Sequence, residues 1–432
     1  MRRLLLSLAL AAVWVAPARA ETIYPGHVSD ARLAVAPDGT PSIGYLVGPN
    51  LVVTRRVGGG WPETGVGFPR TNLELDGFAA RSNGDVVALV RARDGSWLGM
   101  WDGERRVSFR RDSPRALFGP AGLALDGHGR AVVAYALWFP SQKTYLRLAR
   151  EDARGRITTT PITRGGFPST ATLAAAAPVV LPSGKVRVVE TYKPVAIDWR
   201  PIPGDWLGQF LHSSALGIPT GRVGAAANRS VVFAAWTEAF PTLGPPAVVL
   251  AVHASRTFSG VALENAVFAD LVVTRTGAEL AANRCVADGV CEALVDRHEL
   301  DGVVAGYAAE TGGGRQVLLD RPGGLEWYRS PTRLSVSVSL NVANGQLSGR
   351  VTGATGGSVT ISRELAGGAR GEIATVPVAA DGSFTASDQT LGPVAPVAYR
   401  AVYVDPASGV PFAALVSTGA GRIPQLVDAP RP

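Results

Sequence analysis

The chain has 432 residues, of which 46% are apolar and only 18% are charged, so it can bury sizeable cores and is not a disordered chain. Its formal net charge of +7 comes almost wholly from arginine, because only three of its 42 basic residues are lysines. The 51 glycines and 31 prolines separate many short segments, which favours an all-β architecture of more than one domain.

Residues 1–20 predict a signal peptide. Arg2 and Arg3 form a positive start, residues 4–16 are apolar, and residues 18–20 form a small-x-small cleavage site. This apolar stretch is shorter than the roughly 20 residues that span a bilayer. Cleavage after Ala20 lowers the net charge from +7 to +4, and no later stretch is apolar enough to anchor the chain. We therefore expect a secreted or extracytoplasmic protein without a membrane anchor and without a nucleic-acid partner.

Residues 21–328 contain a repeat in which two apolar runs flank a turn. The turns fall 45 to 59 residues apart, at Gly39, Gly84, Gly129, Gly184, Ser230 and Gly289. Repeats of this length that are built from hairpins predict a β-propeller. Six units of roughly 51 residues favour six blades. A seventh blade in the longer intervals and a β-sandwich with accidental periodicity are the alternatives. The segment 21–25 is predicted to close the ring by pairing with the last blade.

These units resemble the blades of secreted bacterial β-propellers with NHL-like repeats, in which a strand, an Asp-Gly turn and a second strand follow each other. The clearest copies are 33–47, 78–90, 123–137 and 179–192. The resemblance implies a fold and leaves the activity open. The Asp-box of sialidase-type propellers is absent from the sequence.

Residues 329–432 predict a β-sandwich with a short C-terminal tail. Seven short apolar segments lie between residues 334 and 417, and residues 334–342 alternate strictly between apolar and polar. The runs 357–365, 378–387 and 398–405 resemble bacterial immunoglobulin-like domains. The resemblance implies a spacer or contact domain.

Cys285 and Cys291 are the two cysteines, and they flank the last predicted turn. In an exported chain they are expected to form one disulfide, since residues that flank a hairpin turn lie on paired strands. The five histidines are far apart in the sequence and no metal-ligand motif is present, so we predict neither a metal nor a cofactor.

The propeller prediction places the ends of the second strands and the loops that follow them on one face. Three of these loops, 136–144, 193–205 and 237–246, are rich in proline and aromatic residues. Stiff aromatic loops are typical of ligand binding. The predicted ligand-binding residues are Trp138, Glu190, Tyr192, Trp199, Trp206, Trp236 and His298.

The favoured function is a monomeric recognition protein that binds an extracellular glycan or protein through this face. The main alternative is a propeller glycoside hydrolase or polysaccharide lyase, with Glu190, Glu238 and Asp296 as candidate acid and base residues. A structural envelope protein is a third interpretation. No local catalytic motif is recognisable, so whether the chain is an enzyme is left open with binding favoured.

Overall fold

The computed structural model describes residues 20–26, 28–139, 143–163, 167–168, 174–192, 195–213, 217–240, 244–254, 256–287, 290–354, 356–389 and 395–418. The predicted signal peptide before Ala20 and the predicted C-terminal tail after Thr418 lie outside these residues. The described residues are all-β, with 37 strands and one short 3-10 turn at Ala366–Gly368. They contain no helix long and apolar enough to cross a membrane.

The first three sheets are antiparallel and follow each other along the chain. Sheet 1 comprises β2 Ala31–Val35, β3 Pro41–Val47, β4 Asn50–Arg55 and β5 Glu63–Gly67. Sheet 2 comprises β6 Leu73–Ala80, β7 Val86–Ala92, β8 Leu98–Trp101 and β9 Arg106–Ser108. Sheet 3 comprises β10 Leu117–Phe118, β11 Gly122–Leu125, β12 Ala131–Phe139, β13 Lys143–Glu151, β14 Ile157–Pro161 and β15 Phe167–Pro168.

Three further groups of four strands continue the pattern. Sheet 4 comprises β16 Ala175–Val180, β17 Val186–Tyr192, β18 Val195–Ile202 and β19 Asp205–Ser213. Sheet 5 comprises β20 Ile218–Asn228, β21 Val231–Phe240, β22 Gly244–His253 and β23 Thr257–Glu264. Sheet 6 comprises β24 Ala266–Val273, β25 Ala278–Ala287, β26 Val290–Val295 and β27 His298–Leu300.

Sheet 7 joins the two ends of the repeat region. It comprises β28 Val303–Ala309, β29 Arg315–Arg321, β30 Gly324–Ser330 and β1 Glu21–Tyr24. Glu21 pairs with Trp327, so the segment 21–25 takes the closing position that the sequence predicts. Its carboxylate accepts hydrogen bonds from Arg56 and from the Trp61 indole, at 2.5 Å and 2.6 Å. The closing strand is thereby held against sheet 1 as well as sheet 7.

The innermost strands of the seven sheets lie side by side in ring order, and β11 takes this position in sheet 3. The ring closes where β28 of sheet 7 contacts β2 of sheet 1. This is the arrangement of a β-propeller, with short inner strands around a central axis. Carboxylates bond neighbouring sheets together: Asp30 accepts the backbone N–H of Leu75, and Asp76 accepts that of Ala121, both at 2.9 Å. Both bonds span 45 residues, the spacing of the first repeats.

The turn glycines Gly39, Gly84, Gly129 and Gly184 have φ between 75° and 86°, a left-handed conformation that favours glycine. The last repeat differs from its prediction. The predicted turn residue Gly289 lies outside the described residues. The second strand of sheet 6 ends at Ala287 and the third begins at Val290, and the inner hairpin of that sheet turns near Gly277. The 59-residue interval between the predicted turns at Ser230 and Gly289 is long because the predicted turn belongs to the next pair of strands in sheet 6.

The C-terminal strands are β31 Ser337–Ala343, β32 Gln346–Thr352, β33 Ser358–Glu364, β34 Arg370–Pro377, β35 Ser383–Ser387, β36 Ala398–Val404 and β37 Pro411–Ser417. One sheet has the order β31-β32-β35, and the other β34-β33-β36-β37. The second sheet continues into sheet 6, because Phe412 pairs with Leu300. These strands also share one hydrophobic core with sheets 6 and 7.

As predicted, Cys285 and Cys291 form a disulfide. The two residues are direct partners on β25 and β26, with their Cα atoms 4.0 Å apart. The backbone carbonyl of Cys291 accepts a hydrogen bond from Arg400 of β36, at 2.7 Å. The disulfide therefore lies at the contact between sheet 6 and the C-terminal strands.

Candidate functional site

The predicted site residue Glu190 lies inside sheet 4 with no exposed surface. The indole N–H of Trp199 donates to its Oε2 at 3.0 Å, and its Oε1 has no partner among the described residues. Burial raises the pKa of Glu190 to about 7, which the single bond from Trp199 only partly opposes. The structure therefore brings two predicted site residues together, but below the surface.

This buried carboxyl predicts a pH dependence of stability. The pKa of Glu190 is raised in the folded chain. Below about pH 4.5 the carboxyl is protonated in both the folded and the unfolded state, and at pH values well above 7 it is ionised in both. Between these limits the folded state holds more protons, and stability falls as pH rises. Relative to Glu190→Gln, we expect the wild-type free energy of unfolding to fall by about 3 kcal/mol between pH 4.5 and 8.

Denaturant unfolding of both proteins across that range measures the effect, with Glu104→Gln as the control because Glu104 is exposed. A constant difference between the wild type and Glu190→Gln across this pH range would show that Glu190 is solvated, as a surface acid or base would be.

Two other predicted residues, Trp236 and Glu238, form a cluster between sheets 4 and 5. Both are buried, at 1% and 2% exposed, and the Trp236 indole N–H donates to Oε1 of Glu238 at 3.2 Å. Nε2 of His212, on β19, lies 3.2 Å from the same oxygen. Nδ1 of His212 lies 3.0 Å from Oγ of Ser259, on β23. Sequence reasoning missed His212 and Ser259, since they lie 47 residues apart in different sheets.

Asp296 and His298 lie at the contact between sheet 6 and the segment that follows sheet 7. Asp296 forms an ion pair with Arg333 at 2.6 Å, and Nδ1 of His298 is 2.8 Å from the backbone carbonyl of Val336. Trp138, Tyr192 and Trp206 are half-buried on β12, β17 and β19. The described parts of the three expected aromatic loops belong to these and neighbouring strands. The ligand-binding roles of all these residues stay predictions.

Charged side chains converge at the inner surface of the ring. Arg222 of sheet 5 interacts electrostatically with Arg32 and Asp30 of sheet 1, with Asp76 of sheet 2 and with Asp270 of sheet 6. A side chain of sheet 5 approaches sheets 1 and 2 only by pointing across the axis. A register shift between Thr220 and Val223 places Arg222 in a β-bulge, a feature that redirects side chains. We call these five residues the axial charge cluster.

Arg222 is the member of the axial charge cluster whose charge has the fewest direct partners among the described residues. It is half-buried, and no described residue forms a hydrogen bond or an ion pair with its guanidinium. The Phe268 ring lies 5.8 Å from its Cζ atom. Burial, and then the positive charge of Arg32, lower the pKa of Arg222 to about 10. A guanidinium in this state can donate hydrogen bonds to an anionic group.

The three carboxylates of the cluster have backbone partners, and two of them are not fully enclosed. Asp30 and Asp270 are half-buried, and Asp270 accepts the N–H of Tyr307 at 3.2 Å. Burial raises the pKa of Asp270, while Arg222 acts in the opposite direction. Arg32 is held by Asp30 at 2.6 Å. The inner surface thus offers a cation that no described residue pairs with, beside hydrogen-bond acceptors. Among the described residues there is no group of side chains with the composition of a metal site.

No protein-family model and no curated protein matches this chain. Solved structures with similar folds include the β-propeller domain of Myceliophteria thermophila Cps50, at 12% identity and a TM-score of 0.43, covering 72% of this chain and 99% of that domain. A chain of the mitotic checkpoint complex has 12% identity and a TM-score of 0.45, and the match covers 76% of this chain and 99% of that chain. A fucose lectin from Kordia zhangzhouensis has 12% identity and a TM-score of 0.26, and the match covers 32% of this chain and 99% of the lectin chain. At these scores the neighbours carry no inference about this chain, and its fold rests on its own sheet topology.

Proposed function

We propose that this chain is an exported recognition protein whose seven sheets are the blades of a β-propeller. Its central channel binds the acidic group of an extracellular glycan, with Arg222 as the anchor. Export follows from the predicted signal peptide in residues 1–20, and the C-terminal strands act as an immunoglobulin-like spacer. The observation that carries the binding proposal is the guanidinium of Arg222, which faces charged residues of sheets 1, 2 and 6 and receives no hydrogen-bond acceptor or ion-pair partner from the part of the chain that the structure describes.

An acidic sugar suits the axial charge cluster better than an acidic protein surface. The guanidinium of Arg222 donates hydrogen bonds to one carboxylate or sulfate, while Asp30 and Asp270 accept hydrogen bonds from sugar hydroxyls. A run of acidic side chains would meet the same aspartates as like charges, which repel them.

The test is an array of uronic-acid and sulfated glycans, each beside its carboxyl-reduced or desulfated form, together with acidic peptides. We expect the wild type to bind acidic glycans and Arg222→Ala to bind them about ten- to a hundredfold more weakly, the value of one or two charge-assisted bonds. Arg110→Ala is the control, because Arg110 is exposed two residues after the end of β9 and lies outside the cluster.

Equal binding to the acidic and the neutralised glycans, or an affinity unchanged by Arg222→Ala, would refute the axial site. Binding to acidic peptides alone would refute the choice of a glycan. Melting curves of the variants show whether any loss reflects unfolding.

A further inference from the structure

The cluster between sheets 4 and 5 joins three side chains in a row. Oγ of Ser259 is 3.0 Å from Nδ1 of His212, and Nε2 of the same ring is 3.2 Å from Oε1 of Glu238. A hydroxyl, an imidazole and a carboxylate in this order are the parts of an activated nucleophile: the base takes the hydroxyl proton and the carboxylate orients the base.

The burial of the three groups matches these roles. Ser259 is exposed on β23, the imidazole of His212 is 19% exposed, and the Glu238 side chain is 2% exposed. The Trp236 indole donates to Oε1 of Glu238, and its ring lies 5.8 Å from that of His212. These contacts fix the carboxylate on the inner side of the imidazole, so the proton-accepting nitrogen faces the exposed hydroxyl.

The surroundings of Ser259 favour an apolar substrate group. Val261 follows on the same face of β23, because side chains two residues apart along a strand point the same way, and it is 55% exposed. Phe210, two residues before His212 on β19, the neighbouring outer strand of sheet 4, is 64% exposed. Exposed apolar side chains beside the nucleophile provide a surface on which a short acyl chain can pack.

We propose that Ser259, His212 and Glu238 form a hydrolytic site for short-chain carboxylic esters, separate from the axial charge cluster. Oγ of Ser259 attacks the ester carbonyl carbon while its proton passes to Nδ1 of His212. The ester C–O bond breaks, and the leaving alkoxide takes that proton as the alcohol. Water then attacks the acyl-serine, again losing its proton to His212, and the carboxylic acid leaves as Ser259 recovers its proton. The net reaction is ester plus water to alcohol plus acid.

The test combines hydrolysis of 4-nitrophenyl acetate with labelling by a fluorophosphonate and peptide mapping by mass spectrometry. We expect one adduct, on the peptide that contains Ser259, and loss of both signals in Ser259→Ala. In His212→Gln, which removes the base, we expect at least a hundredfold slower labelling, a typical contribution of general base catalysis.

The matched control is Ser213→Ala, because Ser213 is also an exposed serine on an outer strand of this region. Glu238→Gln tests a positioning residue: it should slow labelling and change its pH profile without removing the adduct site. An adduct spread over Ser213 and Ser259 alike, no adduct on Ser259, or labelling unaffected by His212→Gln would overturn the proposal. None of these readouts depends on glycan binding.

Discussion

Replacing Asp301 with alanine is expected to lower the free energy of unfolding by about 3–5 kcal/mol, the usual cost of removing one partner from a buried ionic network. Asp301 has no exposed surface and receives Arg321 of sheet 7 at 2.7 Å. From the C-terminal strands it receives Arg370 at 2.9 Å and Arg400 at 3.3 Å. The variant would leave three guanidiniums without this carboxylate at the contact between the propeller and the C-terminal strands.

The same network predicts the response of the wild type to acid. Burial opposes ionisation of Asp301, but Arg400, Arg370 and Arg321 outweigh it and hold its pKa at about 2. An acid with a lowered folded pKa stabilises the protein above its unfolded pKa of about 4, and this contribution is lost as pH falls towards 2. Asp301→Ala should therefore lose less stability than the wild type between pH 4 and 2.

Chemical denaturation followed by tryptophan fluorescence measures both effects. Asp381→Ala is the matched control, because Asp381 pairs with Arg350 at 3.4 Å while both side chains are about 60% exposed. We expect this control to cost far less than Asp301→Ala, because an exposed ion pair contributes little to stability. Equal costs for the two variants would show that the Asp301 network is solvated and that the C-terminal strands do not depend on it.

Replacing Trp236 with alanine is expected to lower the free energy of unfolding by about 3–5 kcal/mol, which is usual when a buried tryptophan in a core is truncated. Trp236 is 1% exposed and packs with Ala177, Val189 and Val249 between sheets 4 and 5. Its loss also removes the indole N–H from Glu238. Thermal unfolding measures the effect, which lowers the melting temperature of the propeller.

Phe258→Ala is the control for this variant, because Phe258 is an aromatic residue of the same sheet that is 66% exposed. Its truncation should change the free energy of unfolding by less than about 1 kcal/mol. A Trp236→Ala variant with native stability and weakened ligand binding would instead support the surface role that the sequence predicts for Trp236.

The repeat and its turns could be predicted from the sequence because they depend on local chemistry. Gly39 and Gly84 stand where the chain turns with positive φ, and the apolar runs beside them pair as inner strands. The pairing of Cys285 with Cys291 follows from their places beside one hairpin turn. The inner hairpin of sheet 6 was missed because a stronger pattern lay on its next two strands.

The candidate sites depend on contacts between sheets, which no local pattern encodes. Glu190 looks like a carboxylate at a strand end, and only the packing of Trp199 from the next strand shows that it is buried. Arg222 lies in a bulge of β20, and its electrostatic contacts extend to residues of sheets 1, 2 and 6. His212 meets Ser259 only because β19 and β23 are neighbouring outer strands. The local sequence pattern of apolar runs and turns therefore predicts the sheets of the fold better than it predicts the candidate sites on them.

The most direct test of the central claim is a crystal structure of the protein with the acidic oligosaccharide that binds it most tightly on the array. The account predicts electron density for the ligand on the ring axis, with its carboxylate or sulfate within hydrogen-bond distance of the Arg222 guanidinium and a hydroxyl on Asp30 or Asp270. Density for the ligand on the outer strands or on the face that carries Trp138, with the axis occupied only by water, would contradict it.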